Sequence, residues 1–162
     1  MKKILFTALL IFVCALLFNK PVTAQERPIQ IALFNPVQIF PENTSVTGIR
    51  LSLIYGKNKN VTGIDWGFIN STTGNQVGWQ SGFINLVDGG FLGLQAGFVN
   101  LTDNKFEGLQ WGFVNYHRGK VSGLQFGFVN YAGSMNGIQI GLINIINQGG
   151  TFPFFPIVNW SF

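Results

Sequence analysis

The chain has 162 residues, of which 21 are Gly and 17 are Phe, and only 10% are charged. That length allows one domain, and no stretch after residue 24 has the 18 or so consecutive apolar residues of a membrane helix. The formal net charge of +4 shrinks to +1 without residues 1–24, seven basic against six acidic, which excludes a basic nucleic-acid-binding patch.

In chain order, the first element is a leader. "MKK" is basic, "ILFTALLIFVCALLF" is apolar, and "NKPVTAQ" supplies small residues. This pattern predicts a signal peptide over 1–24, cut after Ala24, and a single repeat-built domain over 25–162. Cys14 lies inside the leader, and no small residue precedes it as a lipoprotein signal requires. The exported chain therefore has no cysteine and no disulfide framework.

A repeat then governs the chain. With its first glycine as position 0, the unit recurs at Gly48, Gly63, Gly78, Gly93, Gly108, Gly123 and Gly137. Position 4 is Ser52 and then Gly67, Gly82, Gly97, Gly112, Gly127 and Gly141. Position 7 is Tyr55 and then Asn70, Asn85, Asn100, Asn115, Asn130 and Asn144. The spacing is 15 residues, with one interval of 14; Pro28–Asn35 is a degenerate leading unit and Phe152–Asn159 a degenerate closing one.

Turn-forming clusters such as "TTGN", "VDGG" and "HRGK" interrupt every unit, so no helix can use the Gly-x-x-x-Gly spacing. Between them, about eleven residues alternate with a period of two, which predicts strands. Leu109, Trp111 and Phe113, followed by Leu124, Phe126 and Phe128, make an apolar face; Gly, Gln and Val make a small or polar one.

Two architectures fit these strands. In an antiparallel meander of eight or nine strands, Leu109 faces Phe128, Trp111 faces Phe126, and Gln110 faces Gly127. Each large residue then meets a complementary one. In a β-solenoid, each unit is one coil, and Asn stacks on Asn and Gln on Gln. The meander is the leading expectation, closed as a small outer-membrane-type β-barrel. Eleven tilted residues rise roughly 27 Å, near the hydrocarbon thickness. Ser81 and Ala96 weaken the apolar row, and Pro153 and Pro156 suit an edge strand better than a closed sheet.

The chain ends "VNWSF". Trp160 and Phe162 resemble the closing strand of bacterial outer-membrane barrels, which implies recognition by their assembly machinery. The units "GLQWGFVN", "GLQFGFVN" and "GIQIGLIN" resemble the Gly-x-Gln-x-Gly-x-x-Asn repeats of bacterial surface-repeat-containing proteins of Gram-negative envelopes. That resemblance implies outer-membrane or surface placement, with membrane lipid as a partner, and carries over no catalytic residue.

Residues with chemistry are few. Position 2 is Gln in most units but Arg50 and Asp65 in the first two, a candidate salt bridge: diagonal in a meander, directly stacked in a solenoid. His117, the sole histidine, falls in the "HRGK" turn and is expected to be solvated. No Ser, His and acid set, metal-ligand cluster or cofactor motif is present, so no enzyme activity is expected. The leading function is a structural or interaction protein of the envelope. The alternatives are a secreted β-solenoid adhesin or surface-binding module and, more distantly, a small membrane-barrel enzyme acting on lipids.

Overall fold

The computed structural model describes residues 27–162; the expected signal peptide and Cys14 lie outside them. Eight strands follow in order: β1 (Arg27–Phe34), β2 (Val37–Gln38), β3 (Val46–Asn58), β4 (Val61–Thr72), β5 (Gln76–Val87), β6 (Phe91–Thr102), β7 (Phe106–Gln148) and β8 (Phe154–Ser161). They form one sheet in the order β2-β1-β3-β4-β5-β6-β7-β8. From β3 to β7 every neighbour is parallel and offset by one unit: Gly63 pairs with Gly78, Gly78 with Gly93, and Gly93 with Gly108. A residue that lies beside its copy 15 positions later requires the chain to complete a full coil. The fold is a β-solenoid of about six turns.

This corrects the expected antiparallel meander and barrel. Leu109 pairs with Leu94, not with Phe128, and Gln110 pairs with Gln95. Phe128 instead stacks on Phe113. The reason lies at position 7. Antiparallel pairing would set Asn115 against Ser122 and Asn100 against Glu107, whereas the parallel stack sets every Asn against another.

Within a coil, positions −2, 2, 7 and 9 point inward: Val61, Asp65, Asn70 and Thr72 in β4 are all buried. Positions 2 and 7 are five residues apart. A straight strand would put them on opposite faces, so the path must turn over between them. The ladder marks the place, because pairing jumps from Gly67↔Gly82 to Ile69↔Ile84. A second bend falls at position 0, where glycines from Gly48 to Gly137 hold φ between 113° and 150°. The turn clusters close the coil, with backbone bonds such as Val61 N–H to Asn75 O (3.0 Å) and Gln76 N–H to Gly90 O (2.9 Å).

Both ends are finished differently from the middle. β1 stacks parallel on β3 and places Gln30 in the position-2 column, opposite Arg50. Gln30 also exchanges two bonds with the backbone of Phe40, at 2.8 and 3.0 Å. At the other end β8 reverses and pairs antiparallel with the last coil, with Ile138 beside Trp160. Pro153 precedes this terminal strand and Pro156 lies within it, at an edge that needs no further donor.

Candidate functional site

The interior is built from polar columns. At position 2, Arg50 Nε and one terminal nitrogen donate to both oxygens of Asp65, at 2.7 and 2.6 Å, and neither side chain is exposed. Arg50 also donates to Ser71 O (2.7 Å) and Thr72 Oγ1 (3.2 Å). The expected salt bridge is thus present, in the directly stacked form. Asp65 Oδ2 then accepts from Gln80 Nε2 at 2.8 Å. A carboxylate can only accept, so Gln80 must present its NH2 group to it and turn its oxygen the other way. Gln95, Gln110, Gln125 and Gln139 repeat that choice, each donating to the previous Gln at 2.7–2.8 Å. One ion pair therefore sets the polarity of the whole column.

The Asn column runs the opposite way. Asn70, Asn85, Asn100, Asn115 and Asn130 each donate to the next Asn at 2.8–3.1 Å. Each also donates to the position-3 carbonyl of the next coil; for Asn100 this is Trp111 O at 2.9 Å. That carbonyl lies beside the bend where strand pairing skips a residue, so the Asn side chain satisfies backbone there and fixes its own orientation. The opposed columns each end on a buried acceptor without a partner, Asn70 Oδ1 and Gln139 Oε1.

The repeat glycines follow from these columns. A Cβ on Gly112 would collide with Gly97 O and lie 2.5 Å from Asn100 Nδ2. Ser52, the exception at position 4, belongs to a coil with one extra residue, in which Gly56 rather than Tyr55 stands beside Asn70, before the Asn column begins. The constancy of position 4 and of position 7 is therefore one constraint.

Sequence reasoning misplaced His117. It is wholly buried, at position 9, in a column with Thr72, Val87, Thr102, Ala132 and Ile146. Its ring meets Phe106 edge-on at 5.9 Å, and neither nitrogen has a hydrogen-bond partner in good geometry. Burial pushes its pKa down to about 4, opposed by the backbone of Asn104 and Lys120 and by the charge of Asp103. The alternation of apolar and Thr residues at the same distance past each Asn was the available signal.

The sign of the pH effect follows. The folded chain disfavours the imidazolium, so the unfolded chain holds the extra proton between pH 6.5 and about 4. Stability is full above that window and falls as pH is lowered through it, by up to about 3 kcal/mol for such a shift. Urea midpoints measured across the window should drop for the wild type. His117→Thr, which copies Thr102, should remove that component; equal slopes for both chains would refute it.

The exterior is apolar. Trp111 is 60% and Phe113 44% exposed, and Trp66, Trp79, Phe83, Phe98, Phe126 and Phe128 are exposed on the same side. Phe68, Phe83, Phe98, Phe113 and Phe128 stack in a continuous column, centroids 4.8–5.1 Å apart and planes within 7°. A trough of about 620 Å³ runs beside them, with Gly112, Gly127 and Gly141 as its floor and Trp111, Phe126 and Ile140 as its far wall. The predicted apolar row is thus one face, and it lies outside with the amides inside, the orientation that went with the barrel expectation. Charged residues gather at the turns, with Asp103 and Arg118 in contact at 3.5 Å.

Among the described residues, no three His, Cys, Asp or Glu side chains group as metal ligands. Compared with known proteins, the chain matches no family model, no curated protein and no solved structure.

Proposed function

We propose that this chain is an exported β-solenoid surface-binding module that acts through its outer faces and carries out no reaction. The observation behind this reading is the inversion of the usual arrangement: side-chain amides fill the interior, and large apolar residues cover one outer side over the full stack. Soluble monomers rarely expose contiguous apolar patches above a few hundred Å², and larger ones mark interaction sites. The leader and the likeness to envelope surface-repeat proteins support placement at the bacterial cell surface, where the module takes an adhesive or structural role. The turn edge, with Lys59, Asp103, Lys105 and Arg118, faces water.

Trp66, Trp79 and Trp111 lie on the apolar side and report its occupancy. Covering that side should shift their emission to the blue and protect it from iodide. Phe113→Asp should keep the β-sheet circular dichroism and lose the protection, because Phe113 packs outside the coil. Unchanged protection in Phe113→Asp would remove this face from the function.

A further inference from the structure

We infer that the partner of the aromatic face is a second copy of this chain, packed with its solenoid axis antiparallel about a two-fold axis. The inference rests on the reading of that face as the interaction surface. The inner rings of the Phe column offer no free face to a stacking ligand such as a sugar or base, because both faces are taken by neighbouring rings. What remains outside is a comb of ring edges beside a groove, which takes an apolar partner.

The dimensions set the size of the contact. Six coil intervals separate Gly48 from Gly137, and at ~4.8 Å each they span about 29 Å. Positions 1 to 5, the stretch between the two bends, cross about 13 Å at ~3.3 Å per residue. The projected area of about 380 Å² is about half of the ~800 Å² that each partner buries in a standard interface, which makes this a small, weak contact.

The size pattern at position 3 then selects the arrangement. In coil order the column reads Trp66, Ser81, Ala96, Trp111, Phe126 and Ile140. Ser81 and Ala96 leave a notch of about 390 Å³ between the ridges, walled by Phe98 and Trp111. A two-fold axis midway between the Gly93 and Gly108 coils sets Ala96 against the partner's Trp111, and Ser81 against the partner's Phe126. Trp66 then faces the partner's Ile140. Each small residue receives a large one, and the symmetry makes every such contact twice. Parallel axes would instead oppose Trp111 to itself and leave the notches empty. The same symmetry sets position 5 on position 5, so the ring edge of Phe98 meets the partner's Phe113 and that of Phe83 meets the partner's Phe128.

Light scattering on the chain, expressed from its full sequence and held in detergent-free buffer, should give twice the monomer mass. Ala96→Trp should weaken the dimer by at least about 100-fold, since two overpacked contacts arise by symmetry. The size swap Ala96→Trp with Trp111→Ala should restore it to within about tenfold. Circular dichroism should be unchanged in both variants, because both positions lie on the outside of the coil. A monomeric wild type, open-ended aggregates, or a swap that fails to rescue would overturn the inference. Phosphatidylcholine vesicles separate the two levels of the reading. A monomer whose Trp emission turns blue on vesicles keeps the face as an interaction surface and loses the dimer; a monomer indifferent to vesicles loses both.

Discussion

Asp65→Ala should destabilise the fold by about 3–5 kcal/mol, the range for removing one partner of a buried ion pair. The substitution strands the Arg50 guanidinium at zero exposure and takes the acceptor from Gln80. It also removes the group that orients the five glutamines behind it. The double change Arg50→Gln with Asp65→Gln should behave oppositely. It extends the Gln column by two members and removes the cost of burying charge, so its stability should lie within about 1 kcal/mol of the wild type or above it. High salt should leave the Arg50–Asp65 contribution almost intact, since a buried pair is weakly screened, unlike the exposed Arg118–Asp103 pair. Urea midpoints for the two singles and the double complete the cycle. A loss below about 1 kcal/mol in Asp65→Ala would refute the buried-pair account.

The same column shows what was legible before the structure. The 15-residue beat, the all-β class and the Arg50–Asp65 contact follow from spacing alone. Strand direction does not, for a physical reason. Positions 1, 3 and 5 are all apolar and positions 0 and 4 are both glycine, so the unit looks nearly the same read forwards or backwards. Leu109 is satisfied by Phe128 in one direction and by Leu94 in the other. Only residues outside that palindrome distinguish the two. Asn115 is the clearest, because an amide at position 7 has an amide partner only in the parallel stack.

The inward direction of the polar face came with the barrel expectation, but the pairing that lets it be buried did not. A glutamine row normally faces water, and burying an unpaired amide is costly. Here each Gln and Asn gains its partner from the adjacent coil, so the cost vanishes only when many identical coils stack. A reading of one unit at a time cannot register that, because the compensation lies 15 residues away. His117 was misread similarly: "HRGK" has turn chemistry, yet all four residues continue β7, with His117 buried and Arg118 and Lys120 exposed. The consequence for function is direct. The column amides satisfy one another inside and leave only isolated groups such as Asn70 Oδ1 and Gln139 Oε1 unpaired, which is why the proposed function rests on the aromatic outside.

Gly108→Ala is expected to cost on the order of 4 kcal/mol or more, placing it among the exceptional single substitutions. Two effects combine. Gly108 holds φ at 133°, which an L side chain rarely adopts, and an added Cβ would run into Gly93 O and lie 2.9 Å from Gly93 C. Backbone strain of this kind accounts for about 1–3 kcal/mol. The collision adds the rest, because the clashing atoms belong to a hydrogen-bonded strand that cannot move without parting two coils. Gly149 separates the contributions. It also has positive φ, 72°, but nothing lies within 4 Å of the added Cβ. Gly149→Ala should therefore cost only about 1 kcal/mol, the conformational part alone. In a stack where each coil contacts only its neighbours, the damage from Gly108→Ala should begin locally. Amide exchange should quicken first in the Gly93 and Gly108 coils and last in the coil of Gly63. Uniform acceleration along the chain, or equal costs at Gly108 and Gly149, would contradict the stacked-coil geometry.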